Sequence, residues 1–162
     1  MQVRDLMTNN VITVTPDTPI QKLAWIMRAN QISGVPVVNH EGKLVGFVSE
    51  LDLISRHAPA KEPTYFPLLW GLLPFGLDDY AEYKEQVRHI LAVNAAELMS
   101  TKVTTVGPDD SIDHVATQMM KRGHRSLPVV ENGKIVGIIT RTDLVQLIEE
   151  LEMAEEGEGV SG

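Results

Sequence analysis

The sequence predicts an α+β protein made of two tandem β-α-β-β-α modules with a helical insert between them. Two observations carry this expectation. The stretch Val35-Pro36-Val37-Val38-Asn39-His40-Glu41-Gly42-Lys43-Leu44-Val45-Gly46-Phe47-Val48-Ser49-Glu50-Leu51-Asp52 is written a second time as Leu127-Pro128-Val129-Val130-Glu131-Asn132-Gly133-Lys134-Ile135-Val136-Gly137-Ile138-Ile139-Thr140-Arg141-Thr142-Asp143. Around both copies the same order of strand, helix and turn signals recurs, shifted by 92 positions before the hairpin turn and by 91 after it. A unit repeated at this length is a supersecondary module that leaves an apolar face for its copy to cover. The boundaries read as a first module at 1–57, an insert at 58–93, a second module at 94–152 and a disordered acidic tail at 153–162.

The first module begins with Val3, Leu6 and Met7 on one face of a short turn. The β-branched run Val11-Ile12-Thr13-Val14 predicts a strand. Thr18 is placed to cap a helix whose first position is Pro19, where the missing N–H costs nothing. Ile20, Leu23, Ala24 and Met27 supply its apolar stripe. Gly34 then breaks the pattern, and two apolar runs joined by His40-Glu41-Gly42 predict an antiparallel hairpin, because parallel strands need a longer connection. A helix follows from Glu50 to His57, with Ser49 at its mouth.

The insert contains Tyr65-Phe66-Pro67-Leu68-Leu69-Trp70-Gly71-Leu72-Leu73-Pro74-Phe75-Gly76-Leu77, apolar but too short and too interrupted to span a membrane. It reads either as a loop and turn folded over the core or as a surface for self-association or a partner. A helix at 79–93 follows, with Tyr80, Tyr83, Val87, Ile90 and Leu91 on one side. Its outer face carries Glu82, Lys84, Glu85 and Arg88.

In the second module Asn94 is a cap, Met99 repeats Met7, Val103-Thr104-Thr105-Val106 repeats the first strand, and Pro108-Asp109 repeats Pro16-Asp17. Ile112, Val115, Ala116, Met119 and Met120 restate the helical stripe, which Gly123 ends. Asn132-Gly133 is a two-residue hairpin turn, since both residues tolerate positive φ. The last helix runs to about Glu152, with Leu144, Leu147, Ile148 and Leu151 as its apolar face.

Bulk properties narrow the function. The chain has 162 residues, of which 43% are hydrophobic and 22% charged, as in ordinary globular proteins. A net charge of -8 opposes general attraction to nucleic acid, but leaves room for a local basic pocket. The absence of cysteine excludes disulfides, thiolate nucleophiles and Cys-based zinc sites. The amino terminus lacks the apolar run of a secretory signal, so a cytoplasmic protein without membrane insertion is expected.

Two places can carry chemistry. Ser49-Glu50-Leu51-Asp52 and Thr140-Arg141-Thr142-Asp143 fit a capping arrangement, in which a hydroxyl caps a helix and a carboxylate sits in its first turn. The same geometry fits an anion site at a helix amino terminus, with a carboxylate one turn along for vicinal sugar hydroxyls. These readings are compatible. Lys121-Arg122-Gly123-His124-Arg125-Ser126 is the most basic strip; Lys121 and Arg122 complement a helix carboxyl end, whereas Arg125 lies at the mouth of a strand, where a guanidinium can clamp phosphate. Ile32-Ser33-Gly34, its equivalent, carries no charge. His40, His57, His89, His114 and His124 lack metal-ligand spacing, and no nucleophile elbow or glycine-rich phosphate loop occurs. No catalysis is expected.

These residues resemble the cystathionine-β-synthase (CBS) domain family, as a tandem pair. The matching pieces are Asp5-Leu6-Met7-Thr8 with Val11 to Val14, Val35-Pro36-Val37-Val38, and Val45-Gly46-Phe47-Val48-Ser49 ending at Asp52. Glu97-Leu98-Met99-Ser100 with Val103 to Val106, Leu127-Pro128-Val129-Val130, and Val136-Gly137-Ile138-Ile139-Thr140 ending at Asp143 repeat them. The resemblance implies modules related by a pseudo-twofold axis, homodimerisation, and regulatory binding of AMP, ADP or ATP, or of S-adenosylmethionine, with no obligatory cofactor. It implies two composite clefts. One combines Ser49 and Asp52 with Thr104, Arg125 and Ser126; the other combines Thr140, Arg141 and Asp143 with Thr8, Ile12, Ile32, Ser33 and Gly34. The aspartates are expected to hold ribose, and the hydroxyls and arginines phosphate, with Glu50 opposing phosphate in the first cleft. The alternative is an interaction scaffold with degenerate clefts, whose insert mediates oligomerisation or docks a regulated partner.

Overall fold

The computed structural model describes residues 1–58, 65–68, 71–74 and 77–158. After a 3-10 turn at Val3–Asp5 come α1 (Ile20–Ala29), β1 (Gly34–Val38), β2 (Leu44–Ser49) and α2 (Glu50–Ser55). The insert supplies β3 (Tyr65–Leu68), β4 (Gly71–Pro74) and α3 (Leu77–Leu91). Then follow α4 (Ala95–Leu98), α5 (Ile112–Arg122), β5 (Ser126–Glu131), β6 (Lys134–Thr140) and α6 (Arg141–Glu158). Among the described residues, consecutive strands pair as three two-stranded sheets. The α+β class and the two hairpin-helix modules expected from the sequence are present.

The strands expected at 11–14 and 103–106 are reduced to single parallel bridges, Val14 to Val37 and Val106 to Val129. Proline is the reason. Val106 donates to Pro128 O and accepts from Val130 N–H; one step back the ladder would need the N–H of Pro128, and one step forward that of Pro108. Pro36 and Pro16 limit Val14 in the same way.

Other boundaries move for local reasons. Pro19 occupies the cap position of α1, and the Thr18 hydroxyl accepts from Thr15 N–H at 3.1 Å instead of capping the helix. Gln31, at φ 54°, turns the chain after α1. Gly34 lies within β1, where an added Cβ would stand 2.5 Å from the Phe47 ring. Asn132 and Gly133 take φ 52° and 77°, as the hairpin turn requires. Gly123 ends α5 at φ 66°. The hairpin β3–β4 was not anticipated; its register pairs Tyr65 with Pro74 and Leu68 with Gly71. The apolar surface expected there concerns side chains outside the described residues. Met120, expected on the α5 stripe, is 84% exposed. The last helix continues past Glu152 to Glu158, and 159–162 lie outside the described residues.

The chain divides into two compact units: Met1–Thr13 with Val38–Val45 and Lys102–Gly162, and Val14–Val37 with Gly46–Thr101. Neither is one sequence repeat. Each joins the body of one repeat to the opening segment of the other. In the first unit Val3 N–H donates to Asp110 O (3.0 Å) and Arg4 N–H to Pro108 O (2.9 Å), while the Arg4 guanidinium pairs with Asp109. Val3 is buried with Val106, Val115, Met119, Leu127, Val129 and Ile139, and Leu6 and Met7 pack beside them. The second unit repeats the arrangement: Ala95 N–H donates to Thr18 O (2.9 Å) and Ala96 N–H to Pro16 O (2.8 Å). Met7 lies over Gly137, and Met99 over Gly46, each filling the space a Cβ would take.

Candidate ligand-binding site

Both hairpins end in the same cap. In the second unit, Asp52 Oδ2 accepts from Ser49 N–H (2.7 Å) and from the Ser49 hydroxyl (2.9 Å), and Ser49 Oγ accepts from Asp52 N–H (3.3 Å). In the first unit, Asp143 Oδ2 accepts from Thr140 N–H (2.7 Å) and Thr140 Oγ1 (2.9 Å), and Thr140 Oγ1 accepts from Asp143 N–H (3.3 Å). All four side chains are half-buried. Each cap therefore occupies only Oδ2 of its aspartate.

Antiparallel pairing determines what lies beside each cap. Ser126 is the cross-strand partner of Thr140, and Arg141 N–H donates to Arg125 O at 3.0 Å. Arg141 Nε donates to His124 O at 2.8 Å, which fixes the guanidinium stem at the start of β5. Thr8 exchanges two backbone hydrogen bonds with Ile138 (2.9 and 3.0 Å). Thr8, Arg125, Ser126, Thr140, Arg141 and Asp143 thus share one unit. In the other, Glu50 N–H donates to Ser33 O at 2.9 Å, next to Gly34 and following Ile32. Ser100, the counterpart of Thr8, exchanges two hydrogen bonds with Phe47, both 3.0 Å.

The expected clefts set Arg125 and Ser126 with Ser49 and Asp52, and Ile32, Ser33 and Gly34 with Thr140 and Asp143; the backbone pairings described above are those within a single unit. The residues before the first strand of a hairpin and after its second strand are neighbours by antiparallel register, so within each unit the backbone of these segments runs next to that hairpin's own cap. Ile12 and Thr104 are half-buried in the extended segments that lead to Val14 and Val106. Sequence reasoning did not single out Ser100, although its place in the repeat marks it.

Charge is unequal between the two units. Positions that carry Arg125 and Arg141 in one unit carry Ser33 and Glu50 in the other. In the unit that holds Ser49 and Asp52, Arg88 of α3 donates to Glu85 (2.9 and 2.6 Å). That hydrogen bond holds the Glu85 carboxyl below the ordinary carboxylate range and raises the Arg88 guanidinium, with Asp52 adding a smaller attraction. Among the described residues no group of three His, Asp or Glu side chains is placed to hold a metal ion, and no helix is long and apolar enough to cross a membrane.

Fold and duplicated site define a tandem pair of small α+β modules. The sequence profile described as CBS domain matches residues 3–58 and 95–150, so the chain belongs to the CBS domain family. It is 31% identical over 159 residues to the uncharacterized protein MJ1426 of Methanocaldococcus jannaschii, covering 91% of each chain. It spans only 32% and 42% of two further relatives from that organism. Among solved structures, the CBS domain pair of protein MJ0100 in complex with 5′-methylthioadenosine and S-adenosyl-L-methionine matches with a TM-score of 0.66 and 25% identity, over 93% of this chain and 97% of that one. CBSX2 in complex with AMP, a protein of Arabidopsis thaliana, matches with a TM-score of 0.76 over 92% and 97% at 23% identity, a likeness of fold.

Proposed function

We propose that the protein is a non-catalytic regulatory module that binds adenosine-containing ligands at its two caps, and that the two sites differ in the charge they accept. The observation that supports this most directly is the charge inversion at equivalent positions. Each cap leaves Asp52 or Asp143 Oδ1 to accept from the vicinal hydroxyls of a ribose. Beside Thr140 and Asp143, Arg125 and Arg141 flank the amino terminus of α6, where phosphate is favoured by peptide N–H groups, helix dipole and guanidinium together. This site is read as the AMP, ADP or ATP site. Beside Ser49 and Asp52, Glu50 opposes phosphate, so this site is read as suited to an adenosyl group without one, such as S-adenosylmethionine. The MJ0100 pair, similar at 25% identity, supports the wider adenosyl class.

A bound ligand shifts the packing of the chain, or association between copies, only by binding two arrangements unequally. Ile54 and Val145, at equivalent positions on α2 and α6, are 62% and 64% exposed and favour association as the output. Calorimetric titration with AMP, ADP, ATP and S-adenosylmethionine, with sedimentation run alongside, tests the reading. Saturable heat is expected for at least one nucleotide; none from any of the four refutes it.

A further inference from the structure

We infer that His89, from the inserted helix α3, is a positioning residue for the Ser49–Asp52 site, and that the insert senses occupation of that site. The inference rests on the ligand-binding reading above. What carries it is a continuous chain of hydrogen bonds within one compact unit.

Ser55, the last residue of α2, donates its hydroxyl proton to Asp52 O at 2.8 Å. A hydroxyl has one proton, so toward His89 Nδ1, 2.9 Å away, Ser55 Oγ is the acceptor. Across the ring, Arg88 Nη2 lies 3.4 Å from His89 Nε2. A guanidinium only donates, so Nε2 presents its lone pair. Both contacts select one neutral tautomer, with the proton on Nδ1. Arg88 is fixed in turn by Glu85 and by Glu97 O, which accepts from Nη1 at 2.5 Å.

Adjacent residues of α3 therefore grip both flanks of the site. His89 holds α2, which carries Asp52. Arg88 holds α4, which leads into Ser100 and its pairing with Phe47. Among the described residues the other repeat shows no such strut: the position of Ser55 is taken there by Gln146, which donates to Glu150 on its own helix. A ligand that orders α2 against the Ser100 segment must then order α3 as well.

Hydrogen exchange on the whole chain tests this, comparing wild type with His89→Phe, Ser55→Ala and His89→Asn, whose amide N–H falls near Nδ1. Without ligand, the first two variants are expected to exchange α2 and the carboxyl half of α3 about fivefold faster, the equivalent of one lost hydrogen bond. His89→Asn should restore wild-type rates. With S-adenosylmethionine, protection should spread from α2 into α3 in wild type and His89→Asn, and stop at α2 in His89→Phe. Wild-type α2 exchange in both His89→Phe and Ser55→Ala, or spread into α3 in His89→Phe, overturns the inference. If S-adenosylmethionine does not bind wild type saturably, the ligand reading fails at this site, while the ligand-free comparison still decides the positioning role of His89.

Discussion

Gly34 sets the shape of the first hairpin through what it lacks. The Phe47 ring occupies the space of a Cβ, and Val48 O lies 3.3 Å from that position. Gly34→Ala must push the ring off its rotamer, and a loss of about 1–3 kcal/mol is expected, measured by urea denaturation; unchanged stability would show that the ring moves freely. The Ser49–Asp52 and Thr140–Asp143 pairs sit at the same scale. Their residue types and spacing were legible in the sequence because a cap and an anion site ask for the same chemistry. Their neighbours were less so. Counting back from the Asn132-Gly133 turn sets Ser126 opposite Ile139; the bulge between Val129 and Val130 moves it to Thr140. No single residue type announces that bulge.

Among the elements, α3 shows how a charged helix is fixed locally. Glu85 titrates below its ordinary value because Arg88 is bonded to it. Its contribution to stability is therefore complete above the unfolded-state value of about 4.3 and disappears as pH falls through the lowered folded-state value. The pair is largely exposed, so the contribution is small and screened by salt. Thermal unfolding of wild type and Glu85→Gln should differ at pH 7 and converge only once the pH has fallen below the lowered folded-state value; a difference that persists in stronger acid would place the effect elsewhere. Elements with strong periodicity, α1 and α5, were legible. The reduction of the strands at 11–14 and 103–106 to single bridges was also available in principle, since Pro16, Pro36, Pro108 and Pro128 are visible in the sequence. What hid it is that a β-branched run reads the same whether its partner can donate or not.

At the scale of the whole molecule, the exchange of opening segments decides which residues stabilise which unit. Duplication was plain from the repeat, but a repeat pattern is identical whether a segment covers its own module or the other. Val3, at the head of the first repeat, is buried in the core built from the second. Val3→Ala is expected to cost about 1.5–3 kcal/mol and to accelerate hydrogen exchange in β5 and β6 before β1 and β2; the reverse order would refute the exchange. The same exchange brings Thr8 beside Ile138, so the cap at Asp143 is flanked by both repeats. The central claim is that this cap, with Arg125 and Arg141, is the phosphate-accepting site, and one calorimetric comparison tests it directly. AMP should bind wild type and Asp52→Ala alike and lose tenfold or more in affinity, about 1.4 kcal/mol, in Asp143→Ala. Loss in Asp52→Ala with Asp143→Ala unaffected, or equal loss in both, would contradict it.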